Sequence, residues 1–158
     1  MFSAFRLTCV LALGAMALAA QVVPVETVKT TAMVGIATGQ TARLNLLNPG
    51  VQAVSAGLIC TANVTYFDGA GAVRKTATVT VAPGTNQFVD LHSETDLALP
   101  VDTRLEIRAT ISVPAILPPG ASSTTAPTPA CQLVTNLEIF DNITLRTQAV
   151  IGKVETID

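Results

Sequence analysis

One stretch of the chain gathers residues that do hydrolytic chemistry elsewhere: His92-Ser93-Glu94-Thr95-Asp96, with the chain's single histidine at its head. A serine nucleophile needs a base within hydrogen-bond reach. Neighbours on an extended chain point to opposite sides, so His92 and Ser93 do not form that pair directly. No Gly-x-Ser-x-Gly elbow presents a serine anywhere in the sequence. His92 is therefore expected to be a solvated loop residue. Glu94, Asp96 and Asp102 are close enough in sequence to share a calcium ion on one loop, but EF-hand spacing is missing and solvated charges are expected. Zinc and copper sites need clustered ligands, and a single histidine, the scattered carboxylates, Met33 and the two leader methionines Met1 and Met16 do not supply them. Gly69-Ala70-Gly71 reads as part of a hairpin, not as a phosphate cradle before a helix. Paired carboxylates for glycoside cleavage meet only in space. The thin aromatic content, 4% with no Trp, argues against the sugar platform they would need. No catalytic, cofactor-binding or metal-ligating residue is assigned, and the expectation is a protein that is not an enzyme, with hydrolase as the default if it were one.

The cysteines carry a different chemistry. Residues 1–20 read as a signal peptide: Arg6, an apolar block from Leu7 to Leu18, and the small-x-small pattern Ala17-Leu18-Ala19. An uncleaved N-terminal anchor is the alternative. A lipoprotein reading through Cys9 fails, because the apolar block follows that cysteine. Cleavage removes Cys9 and leaves Cys60 and Cys131, an even pair in an oxidising compartment, so a structural disulfide between them is expected. No Cys-x-x-Cys spacing points to redox activity. Closing a loop of about 70 residues stabilises by roughly 4 kcal/mol in the chain-entropy model.

Composition limits the partners. The formal charge is −2 and cleavage removes one more positive charge, so no basic stripe exists to neutralise a phosphate backbone, and nucleic acid is not expected. After the leader, no apolar run approaches the ~18 residues of a membrane span. No stable span is expected once the leader is cleaved, and the protein is expected to be secreted or periplasmic. Asn63 and Asn142 open Asn-x-Thr sequons that matter only in a glycosylating host. Asn63 sits mid-strand, a poor acceptor position.

The elements that would position these residues are strands. Period-two alternation recurs from Thr31 to Ile151, without helical periodicity. In Arg104 to Val113, Leu105, Ile107, Ala109, Ile111 and Val113 face one way and charged or hydroxyl residues the other, as in an antiparallel sheet with one wet side. Strands are also expected at Met33–Ala37, Thr41–Leu47, Leu58–Phe67, Val73–Val81, Gln87–Leu91, Cys131–Phe140 and Thr144–Ile151. Turns are expected at Asn48-Pro49-Gly50, Asp68 to Gly71, Pro83-Gly84 and Asp141-Asn142. Residues 20–30 read as an extended lead-in. Pro114 to Ala130, with five prolines around Ser122-Ser123-Thr124-Thr125, reads as a long Pro/Ser/Thr-rich loop. Residues 21–158 thus form a single domain of about seven or eight strands, an all-β antiparallel two-sheet sandwich, with a continuous barrel as the other architecture.

Gly39 to Gly50, Val64 to Gly71 and Thr78 to Gly84 together resemble the immunoglobulin-like or fibronectin-type-III-like β-sandwich modules of exported bacterial proteins. The likeness lies in a strand ending on an asparagine turn, a hairpin closing on Asp-x-x-Gly and a strand ending in Ala-Pro-Gly. It implies an immunoglobulin-like architecture and a habit of binding or scaffolding, and carries over no functional residue. The expected function is an exported, non-enzymatic domain that binds or scaffolds a protein partner in the envelope, through the 114–130 loop or an exposed edge strand. The alternative is a structural subunit of a surface or envelope assembly of fimbrial type.

Overall fold

A computed structural model describes residues 26–50, 59–116, 128–129, 131–152 and 154–157. The expected leader therefore lies outside the described residues, as does most of the Pro/Ser/Thr-rich segment. The elements are all strands: β1 (Glu26–Thr31), β2 (Val34–Ala37), β3 (Gln40–Leu47), β4 (Cys60–Asp68), β5 (Val73–Val81), β6 (Asn86–His92), β7 (Arg104–Ile116), β8 (Thr128–Pro129), β9 (Val134–Asp141), β10 (Thr147–Ile151) and β11 (Val154–Ile157).

They form two antiparallel sheets that do not close into a barrel, the sandwich that the alternation predicts. The larger sheet has the order β11-β1-β7-β4-β5, with β2 and β8 also on β7; the smaller has the order β10-β9-β3-β6. In β3, β4, β7 and β9 the apolar parity points into the space between them. Ala62, Val64 and Tyr66 of β4 and Ile107, Ala109 and Ile111 of β7 face Ala42, Leu44 and Leu46 of β3 and Leu137 and Ile139 of β9, all buried. Such a core rests on aliphatic area removed from water, about 25 cal/mol per Å². Tyr66 adds a polar tie across it: its hydroxyl donates to the Val89 carbonyl on β6 at 2.8 Å.

Asp-based turns close the hairpins. Asp68 Oδ1 accepts the Ala70 and Ala72 N–H groups at 2.9 and 2.8 Å, and its other oxygen takes Arg74. Gly71 follows at φ 86°, a conformation that L side chains rarely adopt. Asp141 Oδ1 likewise accepts the Ile143 and Thr144 N–H groups. At the opposite end, Asn48 Oδ1 accepts the Gly50 N–H, and Asn48 Nδ2 donates to the Val81 carbonyl.

Cys60 and Cys131 are disulfide-bonded, with Cα atoms 5.8 Å apart. The bond joins the first residue of β4, in the larger sheet, to the approach to β9, in the smaller. It therefore holds the two layers together at one end. A bond of this kind belongs to an oxidising, extracytoplasmic setting.

Four expectations need correction. Residues 26–31 are a strand, not a lead-in: β1 pairs with β7 and with the C-terminal β11. The strand at 104 does not stop at Val113 but passes Pro114 to Ile116, where it meets β8. The β4 ladder on β7 ends at Ser112, so at Pro114, opposite Glu26, the missing donor is not required on both sides. Cys131 precedes its strand, which starts at Val134. His92 ends β6 and is half-buried, not a solvated loop residue. Leu58, expected on the core face, lies outside the described residues.

Candidate binding face

Of the polar residues singled out for chemistry, Ser93 and Asp96 hold backbone in place at the end of β6. Ser93 is wholly buried, and its Oγ accepts the Gln40 N–H at 3.1 Å. Asp96 accepts the His92 backbone N–H at 2.8 Å and pairs with Lys75 at 2.7 Å. Burial alone would raise its pKa; the Lys75 bond and the His92 N–H outweigh that and hold the carboxyl below its ordinary value. Thr41 Oγ1 donates to Asn142 Oδ1 at 2.6 Å and lies 2.9 Å from His92 Nδ1. Thr41 Oγ1 thus links the His92 ring and the Asn142 side chain across the strand ends. The His92 ring is thereby turned to Thr41, and Ser93 is engaged elsewhere. Glu94 and Asp102 do not join Asp96, and among the described residues no group of three or more His, Cys, Asp or Glu gathers as a metal set would.

The two outer faces of the sandwich differ in chemistry. On the larger sheet, Thr61, Asn63 and Thr65 of β4 stand opposite Thr80, Thr78 and Thr76 of β5, and Asn63 and Thr65 also face Ser112 and Thr110 of β7. This face is a field of hydroxyls, with Arg108 stacked over Phe67 at 4.5 Å near one end.

On the smaller sheet the outward parity brings forward Arg43, Asn45 and Leu47 of β3, Phe88 and Asp90 of β6, Val134, Asn136, Glu138 and Phe140 of β9, and Val150 of β10. Arg43 is its centre. Its guanidinium holds Asp90 through two bonds, 2.8 and 2.7 Å, and lies 4.0 Å from the Phe88 ring centroid and 5.1 Å from that of Phe140. The hydrogen bond to Asp90 raises the pKa of Arg43 against the opposing effect of its partial burial. Asn45 Nδ2 donates to Asn136 Oδ1 at 2.8 Å, adding a second fixed polar pair. Around these pairs Phe88, Leu47, Val134 and Val150 are 50%, 39%, 58% and 59% exposed, more apolar area than a wet sheet face needs. The result is a rigid, mixed surface: an arginine clamped between aromatics, two internally satisfied polar pairs and apolar side chains open to solvent. That composition suits non-covalent recognition, where aromatics and arginine are enriched.

This cluster went unread in the sequence, although the signal was there. Phe88 and Phe140 break the rule that aromatic residues take the buried parity, and Arg43, Asp90 and Glu138 sit on the same parity in three different strands.

No family model, curated protein or solved structure matches the chain.

Proposed function

We propose that this is an exported, non-enzymatic β-sandwich domain of immunoglobulin-like type that binds or scaffolds another macromolecule through the outer face of its smaller sheet. The observation that carries the reading is the set of exposed apolar side chains around the Phe88–Arg43–Phe140 stack. A surface of that kind gains free energy when a partner removes it from water.

Export is supported by the leader-like first twenty residues together with the disulfide. The immunoglobulin-like reading is supported by the middle of the chain. β3 pairs with β6, β4 with β7, and β5 lies beside β4, as strands B with E, C with F and C′ with C do in the variable-type sandwich. At the ends the chain departs from that pattern: β1 stands beside β7, and β9 returns to the smaller sheet beside β3.

The immobilised full chain is expected to retain a macromolecule from the extracellular or envelope fraction of its own source. Phe88→Ser is expected to lower that retention about tenfold or more, the effect of losing one central anchor. Thr65→Ser on the opposite face is expected to leave it unchanged. Equal retention by Phe88→Ser removes this face from the proposal. A hydrolase activity that disappears in His92→Ala would overturn its non-enzymatic part.

A further inference from the structure

Sheet edges present unpaired backbone donors and acceptors, and natural sandwiches guard them with short strands, bulges, charges or proline. Among the described residues the two sheet paths end on β11 and β5 and on β10 and β6, and three of these four end strands carry such a device. β11 is four residues long, β10 is five residues long with a register shift between Thr147 and Ala149, and β6 carries Asp90. β5 is nine residues long, and among the described residues β4 is its one neighbour in the sheet.

Only the ends of β5 are guarded. At its start, Arg74 and Lys75 are held by Asp68 and Asp96, and the register shifts between Tyr66 and Phe67 of β4. At its finish, the Val81 carbonyl accepts the Asn48 side chain at 3.1 Å. Between these stops runs Thr76-Ala77-Thr78-Val79-Thr80, without charge, proline or bulge. Among the described residues no backbone hydrogen bond outside the sheet ladder involves it.

This open segment is self-complementary. We propose that β5 pairs antiparallel with β5 of a second copy of the chain, across a two-fold axis at Thr78. In that register Thr78 meets the partner's Thr78, Thr76 meets the partner's Thr80, and Ala77 meets the partner's Val79. The threonines, exposed in the single chain, form cross-strand pairs of a kind that stabilises sheets. Ala77 and Val79, half-buried at the rim of the core, cover one another. The basic residues fall outside the paired segment and are already neutralised, so no like charges face each other. The contact is isologous, so it closes at two copies, joining the larger sheets into one. It leaves the outer face of the smaller sheet free and is independent of the binding proposed there.

Sedimentation of the full chain, produced in an oxidising compartment, tests this. A single five-residue ladder is a small interface, so the mass is expected to rise from one chain to two with increasing concentration. Thr78→Lys and Thr78→Asp are each expected to remain single chains, because like charges meet on the axis. An equimolar mixture of the two is expected to recover the two-chain species, which unfolded variants would not do. Thr61→Lys, on the same face but on β4, is expected to associate as the parent does. A parent chain that stays single up to about 1 mM, association that persists in Thr78→Lys, or a mixture that fails to reassociate would each overturn the proposal.

Discussion

Arg43 and Tyr66 show how single side chains tie the strands of the sandwich together. Arg43 packs on Phe88 and Phe140 while satisfying Asp90, whose side chain is 16% exposed. Arg43→Ala removes the stack and leaves that carboxylate without its partner, so a loss of about 1–2 kcal/mol is expected in urea unfolding. Tyr66 is wholly buried and burial pushes its pKa far above the ordinary phenol value, so it stays a hydroxyl donor at every working pH. Tyr66→Phe keeps the ring but loses the bond to the Val89 carbonyl, and a cost of about 1–2 kcal/mol is expected by the same measurement. A larger loss in Tyr66→Phe than in Tyr66→Ala would contradict the assignment, because packing must outweigh one hydrogen bond.

The strands divide by how plainly they declare a buried side. β3, β4 and β7 alternate aliphatic with polar residues, so both their existence and their inward faces were legible. β1 was not, because Glu26-Thr27-Val28-Lys29-Thr30-Thr31 places threonine on both parities and offers no apolar face. Its partnership with β7 is tertiary. Where β1 gives way to β2, the Thr31 hydroxyl accepts the Ala109 N–H at 2.9 Å in place of a ladder carbonyl. β11 is too short to carry a period at all. The turns, by contrast, were legible from Asp, Asn and Gly alone, since their side chains supply the local hydrogen bonds. Those same turns set the acid behaviour. Asp68, Asp96 and Asp141 have folded pKa values below their ordinary range, through the Ala72 N–H, the Lys75 and His92 contacts, and the Thr144 N–H. A lowered folded value means stability that is complete above an unfolded pKa of about 4 and is lost as pH falls through the folded values. Urea midpoints are expected to be flat from pH 7 to about 5 and to fall below about pH 4. Asp68→Asn is expected to lower the neutral midpoint and to make the acid fall shallower; an acid fall as steep as the parent's would contradict this assignment.

For the whole molecule, the disulfide and the two unlike faces are the features that matter. The bridge spans a sequence separation of 71 residues, and its removal in Cys60→Ala with Cys131→Ala is expected to cost roughly 4 kcal/mol, a large share of the stability of one domain. Its existence was legible from the even pair of cysteines left once residues 1–20 are read as a leader, but which layers it joins required the topology. The candidate binding face was hidden for the same reason: residues 43, 88 and 140 are far apart in sequence and become one surface only when β6 and β9 flank β3. Hydroxyl-radical footprinting of the full chain, alone and in its native extracellular or envelope fraction, tests that surface most directly. Phe88 and Phe140 are expected to be oxidised more slowly in the native fraction, while Phe67 on the opposite face keeps its rate. Equal oxidation of Phe88 and Phe140 in both settings would contradict a binding role for the smaller sheet.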